Sequence, residues 1–257
     1  MSSIFRRIEI SPFFLILALL FLISGLFEHF IIFTSIIIVH ELGHIVVGLL
    51  QKDKFVKIKL YIAGGIVTLD GNTEKSFLAT LLILVAGFIS QTIYFYIATI
   101  LFNMGLMNYT TFNIFETYYF AILLFNLIPI VPLDGGLILR LILSKFVSYY
   151  QALRSTIIFS YFAIFFGFLY LYFVNFEISL IYIFLMLTYL LYLNSKNNLY
   201  TFNKFLIKRL NLDNKYQANI MKNSDVKSLK LFKNNYAVDK KQIIDEKTII
   251  KNHFNLL

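Results

Sequence analysis

The chain has 257 residues, 59% of them hydrophobic and 14% charged, whereas a soluble domain carries about a quarter charged residues; a purely water-soluble fold is excluded. It contains neither cysteine nor tryptophan, which removes disulfides, iron-sulfur clusters, thiolate zinc sites and a cysteine nucleophile, and leaves any metal to histidine and carboxylate. The net charge of +9 belongs to the tail: residues 1–194 hold 10 Lys or Arg against 9 Asp or Glu, residues 195–257 hold 13 against 5. A basic tail after a membrane domain lies on anionic lipid or is solvated, and no nucleic-acid motif interrupts this one.

Six apolar stretches approach the roughly 20 residues that a bilayer span needs. The first, 12–28, follows Arg6 and Arg7, but no small-residue cleavage site follows it and a second run begins at once, so it reads as a retained helix rather than a signal peptide. The others are 30–50, 77–103, 114–133, 154–174 and 178–194. With the N-terminus cytoplasmic, Arg6, Arg7, Lys52, Lys54, Lys57, Lys59, Lys75, Arg140, Lys145, Arg154 and every base of the tail fall on the inner side, as positively charged residues near span ends do. The expected fold is an all-α polytopic protein of the bacterial cell membrane. It has six transmembrane helices over 1–194, both termini cytoplasmic, and a small cytoplasmic segment over 195–257. With no tryptophan, an interfacial aromatic belt draws on the 17 tyrosines.

The second span contains His40-Glu41-Leu42-Gly43-His44. The H-E-x-x-H spacing sets two imidazoles on one helix face with a carboxylate beside them. Four histidines and seven glutamates would give this pattern by chance in roughly one such chain in 600, and ionisable side chains inside a span are costly enough to be functional candidates. A catalytic zinc takes three nitrogen or oxygen ligands and leaves a fourth position for water. His40 and His44 supply two.

Next, Val56, Ile58, Leu60 and Ile62 alternate with Lys57, Lys59 and Tyr61, and Gly64-Gly65 precedes Ile66-Val67-Thr68-Leu69-Asp70. Period two around a glycine pair predicts a β-hairpin at the inner membrane interface. Further on, Asn126-Leu127-Ile128-Pro129-Ile130-Val131-Pro132-Leu133-Asp134-Gly135-Gly136 combines two prolines that disrupt helical hydrogen bonds with a glycine pair that permits a tight turn. Irregular backbone at membrane depth is tolerated where it lines protein or a watery cavity. Glu28, His29, Glu116 and Glu177 fall at the outer surface on this topology, the 18 residues from Glu116 to Asp134 spanning about 27 Å as helix. The third ligand is thereby narrowed to Asp134 or Asp70.

Residues 40–44 in one span and 126–136 in another resemble the site-2 protease family of intramembrane zinc peptidases, including the sporulation branch that cleaves the pro-sequence of a sigma-factor precursor. The likeness extends over most of residues 10–195, through the Gly64-Gly65 turn and Ala86-Gly87. It implies one Zn2+ on His40, His44 and Asp134, with Glu41 as general base. It also implies substrate-binding roles for Asn126, Gly64, Gly65, Pro129 and Pro132, a membrane-associated pro-sigma-like protein as substrate, inhibitory membrane proteins as partners, and no nucleic acid. Two departures stand out: Phe88 where the family has the proline of Ala-Gly-Pro, and Ala63 where an aromatic precedes the glycine pair. In this branch a cystathionine-β-synthase-like domain follows the spans; Leu229 to Phe254 resembles a shortened remnant, which leaves nucleotide sensing by the tail open. The competing class is a metal-binding transporter or permease, although internal repeats typical of such proteins are not evident.

Overall fold

In a computed structural model of the chain, residues 8–10, 12–61, 64–70, 75–173, 178–211, 216–221, 224–239 and 242–254 are described. A short strand, β1 (Ile8–Ile10), leads into α1 (Pro12–Ile23) and α2 (Phe27–Leu50). Strands β2 (Lys54–Tyr61) and β3 (Gly64–Asp70) follow. Then come α3 (Phe77–Asn103), α4 (Tyr109–Leu127), α5 (Asp134–Phe146), α6 (Tyr149–Phe173), α7 (Ile178–Lys196) and α8 (Asn198–Asn211). The chain continues through β4 (Ala218–Met221), a 3-10 turn at Val226–Ser228, β5 (Asn234–Asp239), β6 (Gln242–Asp245) and α9 (Glu246–His253).

Among the described residues, three helices are long and apolar enough to cross a membrane: Phe27–Leu50, Phe77–Asn103 and Tyr149–Leu171. They coincide with the second, third and fifth expected spans, and α1, α4 and α7 cover the other three with 12, 19 and 19 residues. Helix α2 is patterned inside out. Ile31, Ile38, Leu42, Val46 and Leu49 are exposed, while His40, Glu41 and His44 are buried with Ile36 and Ile37. A helix in water would show the reverse; lipid rewards apolar residues outside and polar ones against protein.

The fourth expected span does not run as one helix to residue 133. Helix α4 stops at Leu127 and α5 begins at Asp134. The reason is local: Pro129 has no N–H to donate and disfavours the helical conformation at the residue before it, and Pro132 repeats the interruption.

Two compact units divide the chain, residues 1–72 with 81–126 and residues 73–80 with 127–257. In the first, the expected hairpin is present, β2 pairing antiparallel with β3 from Lys54 with Asp70 to Tyr61 with Gly64, with an irregularity between Phe55 and Lys57. Strand β1 adds in parallel to β2, Ile8 opposite Ile58; three residues are too few to display a period. Ile62 and Ala63 lie outside the described residues. The core of this unit gathers Ile32, Ile36 and Ile37 of α2, Ala98 of α3, and Phe115, Tyr119 and Ile122 of α4.

In the second unit the start of α6 and the amphipathic α8 enclose the tail. Leu153, Phe202, Phe205 and Leu206 pack with Leu229, Ala237, Ile249 and Ile250. Parallel pairing of β4 with β5 and antiparallel pairing of β5 with β6 make a small sheet, and the Asp245 carboxylate caps α9 by accepting from Thr248 N at 3.3 Å. Inside this tail Arg209 of α8 reaches Glu246 at 3.4 Å and donates to the carbonyls of Lys233, Lys230 and Leu231. The tail is therefore a small folded segment.

Candidate metal centre

The H-E-x-x-H segment lies in the C-terminal half of α2, with His40 2% and His44 6% exposed. Four residues advance a helix by slightly more than one turn, so the two rings stack along one face and meet edge to face with centroids 4.9 Å apart. Their Nε2 atoms are 3.2 Å apart. Each Nδ1 is engaged on its far side: that of His44 lies 2.7 Å from the carbonyl oxygen of Ile83, and that of His40 3.0 Å from Gln91 Oε1. A carbonyl only accepts, so His44 Nδ1 carries its proton and its Nε2 presents a lone pair. Glu41, between the two histidines in sequence, is buried as well.

Helix α3 supplies the opposite wall and comes unusually close. A Cβ on Gly43 would fall 2.3 Å from Ser90 Oγ and 2.4 Å from the carbonyl oxygen of Ala86, and one on Gly87 would fall 2.5 Å from His44 Nε2 and 2.7 Å from His40 Nε2. Small residues at both positions let the helix backbones approach, and Ser90 Oγ bridges them by donating to Val39 O and Gly87 O, each at 2.9 Å. Phe88, standing where the resembled family has proline, lays its ring edge to face against His40 at 5.5 Å.

The remaining expected site residues fall as follows. Asn126 is buried near the end of α4. Gly64 and Gly65 open β3, opposite Tyr61 and Leu60; Asp70 closes it, and its side chain lies outside the described atoms. Pro129 and Pro132 sit in the connection from α4 to α5. Within the second unit this connection is fixed from both ends, Val131 N donating to Ser160 Oγ of α6 at 3.1 Å and Leu133 N to Ile130 O at 2.9 Å. Gly136 lies under it, since a Cβ there would meet Ile130 C at 2.4 Å, while Gly135 lies against Leu127 O at 2.3 Å. Asp134, half-buried, is the first residue of α5, where the helix dipole favours a carboxylate.

Sequence reasoning missed Gln91 and the roles of Gly43 and Ser90. Gln91 did carry a signal, being an amide in the middle of an apolar run, a polar residue at membrane depth.

The donor set fits a zinc ion. Two imidazole lone pairs facing one another 3.2 Å apart repel unless a cation or a proton lies between them, and nitrogen with carboxylate oxygen is the ligand chemistry zinc takes in catalytic sites.

No family model matches the chain. It is 29% identical over 148 residues to Stage IV sporulation protein FB of Bacillus subtilis, a match covering 58% of this chain and 51% of that protein. It is 31% identical over 121 residues to a Synechocystis protein named provisionally as a zinc metalloprotease, covering 46% of this chain and 31% of that one. The chain thus spans about half, and about a third, of the length of these relatives. Its fold matches the site-2 protease of Methanocaldococcus jannaschii with a TM-score of 0.61 at 24% identity, over 73% of this chain and 90% of that one. In sequence the chain is similar to these two relatives, and in fold to a site-2 protease.

Proposed function

We propose that the chain is an intramembrane zinc endopeptidase that cleaves a membrane-associated regulatory precursor of the pro-sigma-factor type, near the cytoplasmic face of the membrane. The observation that carries this reading is the pair of Nε2 atoms, 3.2 Å apart with both Nδ1 atoms engaged elsewhere, inside a helix long and apolar enough to span a bilayer. Asp134 is the third ligand in this reading, the role that the family resemblance implies for it. The name of the Synechocystis relative supports the reaction class, and that of the Bacillus protein supports a role in sporulation.

A zinc ion held there would supply Lewis acidity, polarising the scissile carbonyl and acidifying the attacking water. Glu41 accepts the proton from that water and delivers it to the leaving amine, a general base turned general acid. Asn126 orients the substrate backbone by hydrogen bonding. A helical substrate hides its peptide bonds in its own hydrogen bonds, so the segment to be cut must be extended; β3 is an edge strand of its sheet and offers main-chain groups for an extended segment to pair with.

The test is the purified full chain, reconstituted in liposomes with a membrane-anchored pro-sequence substrate. Wild type is expected to hold near one zinc and to cleave. Asp134→Ala is expected to lose most of the zinc, and Glu41→Gln to keep it while cleaving at least 100-fold more slowly. Cleavage undiminished by Glu41→Gln would overturn the mechanism and turn attention to metal transport.

A further inference from the structure

Gln91 is the most deeply buried amide of the chain's apolar helices, with no exposed surface, and it joins two elements. Its Nε2 donates to the main-chain carbonyl of Tyr119 on α4 at 2.9 Å, and its Oε1 lies 3.0 Å from Nδ1 of His40 on α2. The two ends of an amide are distinguished only by their partners. Here one partner settles the matter: a main-chain carbonyl accepts and never donates, so the NH2 group must face Tyr119. The oxygen is then left facing His40. An amide oxygen also only accepts, which requires a proton on His40 Nδ1 and leaves the lone pair on Nε2, the atom that faces His44.

We propose that Gln91 is the positioning residue of the metal centre, fixing His40 as its Nδ1–H tautomer and aiming Nε2 at the metal on instruction from the Tyr119 carbonyl. The inference rests on the zinc reading above. It makes the centre asymmetric. His44 takes its orientation directly from the Ile83 carbonyl, a group that no side-chain substitution removes. His40 depends on a replaceable amide, and so is the ligand that mutation can disorient without touching a ligand. Partners of this kind outside the ligand set are worth 10- to 100-fold in metal affinity.

The position is also held from the α4 side. Tyr119 stacks on Phe95 of α3 with ring centroids 4.2 Å apart and 15° between planes, and its hydroxyl lies 3.3 Å from Thr92 Oγ1. The carbonyl that orients Gln91 therefore belongs to a residue locked to the next turn of the same helix that carries Gln91.

The experiment compares zinc affinity, by chelator competition, in the detergent-purified full chain for wild type, Gln91→Leu and Gln91→Glu, with thermal unfolding of the metal-free proteins alongside. Leucine keeps the bulk and removes the acceptor, and a 10- to 100-fold weaker affinity is expected. Glutamate keeps the acceptor that faces His40 but loses the donor to Tyr119, and is expected to retain more affinity than leucine. Equal affinity in wild type and a folded Gln91→Leu chain would overturn the inference alone, as would equal losses in both variants, which would mark a packing role. A wild type that binds no zinc would overturn the metal reading and this inference with it. A second measurement needs no variant: the imidazole 15N shifts of the zinc-loaded wild type are expected to show His40 protonated at Nδ1, and an unprotonated Nδ1 would refute the assignment even if Gln91→Leu failed to fold.

Discussion

Gly87 has no side chain where any side chain would collide with the chemistry. A methyl group there would lie 2.5 Å from His44 Nε2 and 2.7 Å from His40 Nε2, distances at which one of them must shift, and neither ring is free to retreat while its Nδ1 is bound behind it. Gly87→Ala is therefore expected to cut zinc content to well under half of the wild-type value in a chain that still inserts and folds, as read by metal analysis after gel filtration. A variant with full zinc would mean that the rings can swing aside. At this scale the sequence was legible in the paired histidines and illegible in the groups that hold them. His40, Glu41 and His44 announce themselves because their spacing equals one turn of helix. Gln91 lies 51 residues from the ring it orients, and the Ile83 carbonyl has no residue type that could betray it.

Helix α2 meets α3 along a seam of small residues, Gly43 against Ala86 and Ser90, and the seam decides how far the histidines stand from their supports. Separating the helices would lengthen the 3.0 Å contact from His40 to Gln91 and the 2.7 Å contact from His44 to Ile83 together. Overpacking a fitted interface costs about 1–3 kcal/mol. Gly43→Ala is expected to lower thermal stability in detergent by that amount and to weaken zinc binding, although residue 43 is not a ligand; a stable chain with unchanged affinity would show that the seam can yield. The sequence reveals elements best where period and length act together. The β2–β3 hairpin was visible in its alternation around a glycine pair. The end of α4 was displaced by six residues from the expected 133 to Leu127, because an apolar run through two prolines continues in hydropathy while its helical hydrogen bonds stop.

In the tail, Leu229, Ile249 and Ile250 bury with Leu153, Phe205 and Leu206, residues borrowed from α6 and α8. Its polar centre is Glu246, which accepts from Arg209 Nη1 at 3.4 Å, Asn235 N at 3.1 Å and Asn235 Nδ2 at 3.0 Å. Breaking a buried ion pair on one side leaves the other charge uncompensated, at about 3–5 kcal/mol. Glu246→Ala is accordingly expected to open the tail to protease well below the concentration that cuts wild type, and equal resistance would assign the fold of the tail to its apolar core alone.

Orientation in the membrane is the property that the whole chain decides together. With six crossings all 23 Lys and Arg lie on one side, and three helices reach spanning length and apolarity on their own. The 12-residue α1 and the 19-residue α4 and α7 have to supply the rest, α1 with the apolar residues that flank it. A chain without cysteine allows a background-free test, since each introduced thiol is the sole target of a maleimide. Met104, 67% exposed between α3 and α4, and Lys251 in α9 fall on opposite sides if the count is six. In intact spheroplasts Met104→Cys is expected to react with a membrane-impermeant maleimide, and Lys251→Cys only after lysis. Labelling of both before lysis would mean that an even number of segments crosses between the two positions, and α1 would lie outside that interval. The missing crossing would then fall on α4 or α7, the two helices whose apolar length is shortest for the task.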